Sequence, residues 1–121
     1  MNLHSFILVI TSVTLSAFGQ TAFKIGVGRV QFAPEASIVN KVLGFIGSPF
    51  ILLGLALYAV GTLFWLFALR NLDLSLAYPF VAFSFIVVFL IGVFMLGEPL
   101  NTTRILGLLI ITLGLVIMAR A

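Results

Sequence analysis

The chain has 121 residues, 63% of them hydrophobic and only 7% charged, with a mean hydropathy of +1.36. A water-soluble globule of that composition would have no polar surface to present, so the sequence reads as an integral membrane protein. The absence of cysteine excludes disulfides and thiolate metal sites, a lone His4 cannot build a metal site by itself, and no cofactor is expected. The net charge of +3 sets six Lys/Arg against Glu35, Asp73 and Glu98, which speaks of membrane orientation and phosphate headgroups more than of nucleic acid.

A spanning helix needs about 20 mostly apolar residues, and the charges divide the chain into stretches of that size. Leu3 to Lys24 forms the first span, closed by the glycines of KIGVGR. A secretory leader is the rival reading of this stretch, but no Lys or Arg precedes the apolar run, and Ser12, Thr14 and Ser16 interrupt it. Val42 to Leu69 contains no charge, yet its 28 residues would make a helix of roughly 42 Å, longer than a hydrocarbon core of about 30 Å. GSPF at Gly47 to Phe50 supplies the break, because proline fits the first turn of a helix while glycine and serine before it turn or cap the chain. The region therefore divides into an interfacial segment at 37–46 and a second span at 49–70. NLDLS makes a tight connection in which Asp73 or Ser75 caps a third span at 74–96. GEPLNTT breaks the chain again, with Asn101 to Thr103 as caps, and a short fourth span runs from Arg104 to Arg120, whose arginines reach for the two interfaces. The expected fold is a single all-α domain over 1–121 with four transmembrane helices.

Lys24, Arg29, Lys41 and Arg104 fall on one side of the membrane against Arg70 and Arg120 on the other. That excess places the first and third connections in the cytoplasm and both termini outside, by a margin narrow enough to leave dual topology open.

Four thin helices enclose little space, and a partner copy would enlarge it. In span four, Gly107 and Gly114 are seven apart on one stripe with Ile111 between them and Met118 beyond. Small residues at that spacing let helix backbones approach closely, either within the chain or across a dimer. Span two has its own pair, Gly54 and Gly61, with Tyr58 and Trp65 on the same stripe, where the aromatics line a cavity or pack between helices.

The first span raises a further question, since TSVTLSAFGQTAFK carries six hydroxyl or amide side chains at membrane depth. At about 100° per residue Ser5, Ser12, Ser16, Gly19 and Phe23 share a face, with Gln20 beside it. Facing lipid would leave the Gln20 amide unsatisfied, so the stripe points to a bundle interior or a wet cavity. Helix-to-helix glue, at about 0.6 kcal/mol per hydrogen bond, is the competing account.

Several motifs then converge. GQTAFK fits a helix-one pattern G-Q-x-x-x-K through Gly19, Gln20 and Lys24, and WLFALRNLDLSLAYP carries Trp65, Leu66, Leu69 and Asn71 ahead of Ala77, Tyr78 and Pro79. Gly97, Glu98 and Pro99 follow at a matching distance, then Gly107 and Gly114. In this order and spacing the chain resembles the drug/metabolite transporter superfamily. Among its four-helix members it is most similar to the paired small flippase subunits for undecaprenyl phosphate carrying aminoarabinose. The resemblance implies a bacterial inner-membrane transporter that works as a homodimer or as a heterodimer with a related four-helix subunit.

One departure is informative. Resemblance to the small multidrug resistance family would call for a glutamate in the middle of helix one, where Ser16 stands, and no Asp or Glu occurs between Leu3 and Phe23. Without a buried carboxylate for a proton and a cation to compete over, export of lipophilic cations loses its mechanism. Lys24, with Arg29 and Arg104, instead offers positive charge at headgroup depth. Ser12, Ser16, Gln20, Tyr58, Trp65, Tyr78 and Ser84 offer hydrogen bonds and aromatic faces to a sugar or amine head. Pro79 lies five residues into span three and either opens a kink beside Tyr78 or merely punctuates the helix. No paired nucleophile and base, metal cluster or phosphate loop argues for an enzyme. The leading expectation is a transporter of a polyprenyl-phosphate-linked sugar. An exporter of small neutral or zwitterionic metabolites and a non-transporting accessory subunit stand as alternatives.

Overall fold

A computed structural model describes residues 2–120, and the outermost residue at each end of the expected domain lies outside the described residues. The described residues form six α-helices and one 3-10 turn, and four stretches are long and apolar enough to cross a membrane.

Helix α1 (Leu3–Arg29) begins at Asn2, whose side chain accepts a hydrogen bond from the Ser5 amide at 2.8 Å. It continues five residues beyond the expected end at Lys24. Gly26 does not break it, because that glycine is buried against α3, where an added Cβ would meet Ile51 Cγ1 at 2.6 Å. Close packing there offsets glycine's intrinsic cost in a helix of about 1 kcal/mol. Helix α2 (Ile38–Ile46) is capped by Ser37 and falls within the 37–46 segment set off by GSPF. Helix α3 (Pro49–Leu69) starts with proline in its first turn after Ser48, as GSPF implied, and Arg70 caps its end.

The third span, Leu74–Phe94, is not one uniform helix. Helix α4 (Leu74–Ala77) passes into a 3-10 turn (Tyr78–Phe80) and then helix α5 (Val81–Phe94), so the irregularity falls on Pro79, which cannot donate to the helical ladder. Asp73 occupies the cap position, but its side chain makes no capping bond there; its carbonyl accepts from Leu76 and Ala77 instead. Span three ends at Phe94, two residues short of Leu96. Gly97 then turns the chain at φ +69°, and the Glu98 amide reaches back to the Gly92 carbonyl at 2.9 Å. Helix α6 (Thr102–Ala119) starts two residues earlier than expected because Asn101 caps it, accepting from the Arg104 amide at 2.8 Å.

Helix α1 lies at the centre. It packs against α3 along most of its length and against α5 on another side, while α6 rests on α5 and the 3-10 turn. Along α1 the buried Ser5, Ser12, Gly19 and Gly26 recur every seven residues, and α3 answers with buried Gly54, Gly61 and Ala68 at the same interval. The small core of Val9, Val13, Ala68 and Phe80 sits toward the end holding the termini, with Trp65 and Leu115 packed against it.

Candidate functional site

The arrangement leaves a groove of about 480 Å³ with α1 as its floor. Helix α1 contributes Ser12, Val13, Ser16, Ala17 and Gln20; α3 forms one wall with Tyr58, Thr62 and Trp65; and the 3-10 turn with α5 forms the other with Tyr78, Val81, Ser84, Phe85 and Val88. The two walls have no interface comparable to the one each makes with α1, which is why space opens between them. Trp65 meets Tyr78 edge-on across the groove, with ring centres 6.4 Å apart, so two aromatic side chains narrow one end.

The polar stripe of α1 divides between two neighbours. Ser5, Ser12 and Gly19 are buried, and the Ser12 hydroxyl donates to the Gly61 carbonyl of α3 at 2.7 Å. Ser16 and Gln20 turn into the groove, and Gln20 is exposed, with no side-chain hydrogen bond among the described residues. The hydroxyls of Thr62 and Ser84 donate to the Tyr58 and Val81 carbonyls within their own helices and keep lone pairs free to accept. Donors and acceptors not claimed by the fold therefore gather at Ser16, Gln20, Tyr58 and Tyr78. No charged side chain among the described residues lines the groove, so it offers hydrogen bonds to a polar group and aromatic faces that suit a sugar ring or an amine.

Seven of the eight residues selected from sequence as substrate contacts thus come together: Ser12, Ser16, Gln20, Tyr58, Trp65, Tyr78 and Ser84. Lys24 stands apart. It is exposed one turn beyond Gln20 on the same face, outside the lining, and there it offers charge beside the groove. Thr62 was not selected, although it falls four residues after Tyr58 and three before Trp65, on their stripe. Val81, Phe85 and Val88 carried no chemical signal, being apolar in an apolar helix, and only the course of α5 brings them in.

The stripe expected at an interface is open. Helix α6 has no buried residue, nothing among the described residues lies within 4 Å of a Cβ added at Gly107 or Gly114, and Ile111 and Met118 are 38% and 37% exposed. Among the described residues no group of three His, Asp or Glu could hold a metal.

Comparison with known proteins finds similarity over nearly the whole chain. A Proteus mirabilis (strain HI4320) protein named a probable 4-amino-4-deoxy-L-arabinose-phosphoundecaprenol flippase subunit ArnE is 35% identical, covering 94% of this chain and 95% of the relative. A Pseudomonas aeruginosa (strain UCBPP-PA14) protein of the same description is 28% identical, covering 94% and 96%. A Shewanella sediminis protein named as subunit ArnF of such a flippase is 29% identical, covering 96% and 88%. No protein-family model and no solved structure matches the chain.

Proposed function

Since the chain belongs to the family of 4-amino-4-deoxy-L-arabinose-phosphoundecaprenol flippase subunits, we propose that it is one subunit of a flippase that carries a polyprenyl-phosphate-linked sugar across the bacterial inner membrane. The observation that carries this reading is the uncharged groove with a glutamine floor and aromatic walls. A volume of about 480 Å³ suits a single sugar head and is far too small for an undecaprenyl tail. The sugar lies between Trp65, Tyr58 and Tyr78 with its hydroxyls on Gln20 and Ser16, and the tail stays in lipid. Lys24 follows Gln20 by four residues, about 6 Å along the helix, and meets the linking phosphate.

The groove has a floor and two walls, and a second subunit supplies the remaining side. Helix α6, with open space at Gly107 and Gly114 and with Ile111 and Met118 partly exposed beside them, is the surface through which the subunits associate. Similarity to relatives named as two different flippase subunits supports a related four-helix partner over an identical copy. Transport consists of re-aiming the groove between the two faces. No step of covalent chemistry is required, and the protein acts as a transporter and not an enzyme.

The test is reconstitution of the chain, alone and with a related subunit, in vesicles holding the aminosugar lipid on one leaflet. The amine should become reactive to an impermeant reagent on the other side. If the amine stays unreactive in both preparations while a water-soluble neutral or zwitterionic tracer is moved, the same groove belongs to a metabolite exporter, the reading its lack of charge favours next.

A further inference from the structure

Helix α2 has a part of its own in the way the chain meets the membrane. At about 100° per residue, Ile38, Val39, Val42, Leu43 and Ile46 gather into an arc of roughly 140°, while Asn40, Gly44, Lys41 and Phe45 occupy the rest. None of the five aliphatic side chains is covered by the fold; their exposures run from 47% at Val42 to 80% at Ile38. The rotation of the helix is held from behind by Phe32, whose ring meets Phe45 edge-on at 5.2 Å and would lie 2.8 Å from a Cβ on Gly44. The open aliphatic arc is therefore a fixed feature of the fold.

We propose that α2 docks on the anionic phospholipid surface of the bilayer its own chain spans, with the aliphatic arc among the acyl chains and Lys41 at the headgroups. Two observations select lipid as the occupant. The helix is tethered between the end of α1 at Arg29 and the start of α3 at Pro49, the ends of two membrane-length helices, so its height is that of the membrane surface. The charge of that side is complementary to phosphate: Lys24, Arg29, Lys41 and Arg104 gather there against Glu35 and Glu98, and the Arg29 guanidinium sits 4.4 Å above the Phe50 ring at the foot of α3. A short helix with an aliphatic face and a basic flank is the form in which helices lie in the interface plane. The docking does not depend on what the groove carries.

Because the chain has no cysteine, Val42→Cys and Asn40→Cys can each carry a unique nitroxide label in the full-length protein. In vesicles of phosphatidylglycerol and phosphatidylethanolamine, the label at position 42 should be relaxed by oxygen and sit roughly 5–10 Å below the headgroups. The label at position 40 should be relaxed by a water-soluble nickel chelate. Equal access of nickel to both positions would place α2 in water and overturn the proposal. Shielding of position 42 from both reagents would hand the face to a second copy or another protein and overturn it equally. Adding Lys41→Glu should make position 42 shallower in phosphatidylglycerol vesicles and leave it unmoved in phosphatidylcholine; the same depth in both lipids would remove the headgroup half of the proposal.

Discussion

Two glycine pairs, each seven residues apart in an apolar helix, meet opposite fates. Gly54 and Gly61 of α3 are sealed against α1: a Cβ on Gly54 would stand 2.8 Å from the Gly19 carbonyl oxygen, and one on Gly61 would stand 3.0 Å from that of Ser12. Gly107 and Gly114 of α6 face open space. The difference lies in the partner. Helix α1 brings Ser5, Ser12, Gly19 and Gly26 at the same interval, so two small-residue stripes close on each other, whereas among the described residues no such stripe meets Gly107 and Gly114 of α6. A small residue therefore marks a place where a helix is able to come close, and the complementary stripe determines whether one does.

The sharpest way to break this comparison is Gly54→Leu. Its side chain would have to displace the Phe23 ring and the α1 backbone, so a loss of about 3 kcal/mol or more is expected, read as a lowered unfolding midpoint in mild detergent. Gly114→Leu should leave that midpoint within about 0.5 kcal/mol, because nothing among the described residues lies within 4 Å of a Cβ there. It should instead abolish association with the partner subunit, seen as loss of energy transfer between labelled chains in vesicles. Unchanged association would remove α6 from the interface. Closing α1 onto α3 also sets the groove floor, and there Gln20→Leu should weaken binding of the sugar lipid by about 1–2 kcal/mol, or roughly 5- to 30-fold, with unchanged unfolding. Lys24→Ala should cost about 1 kcal/mol, and only for ligands bearing the phosphate; an equal loss with a phosphate-free sugar analogue would count against its assigned role. The smallest effect belongs to Ser12→Ala, about 0.6 kcal/mol of stability, since it removes one hydroxyl bond while the glycine contacts remain. A loss as large as that of Gly54→Leu would mean that hydrogen bonding, more than close fit, joins α1 to α3.

The helical plan was readable from the chain because its signals are local. Uninterrupted apolar length marked the spans, Ser37 and Pro49 bounded the helices on either side of GSPF, and Asn101 began the last one. The error at the end of α1 had a tertiary cause, for the helix runs on to Arg29 where Ile51 fills the space beside Gly26, whereas the early start of α6 was the local work of Asn101. Much of the groove was also visible in advance. Tyr58 and Trp65 share a helical stripe, and Gln20 is the residue whose amide hydrocarbon would have stranded. The single polar stripe read on α1 serves two ends. Ser12 and Ser16 are four residues apart, a difference of only about 40° around the helix, and both border the groove, yet the Ser12 hydroxyl is spent on the Gly61 carbonyl of α3 while that of Ser16 stays free for the groove.

Hydropathy and capping are properties of a few neighbouring residues, so membrane insertion, four crossings and the break before α3 follow from the order of the amino acids alone. Whether a glycine is covered, and whether a serine hydroxyl is spent or left free, depends on a second helix far away in the chain. Contact energies fall off within a few ångströms. The small-residue stripe on α1 could therefore be assigned to α3, and the one on α6 left open, only once the helices were set side by side.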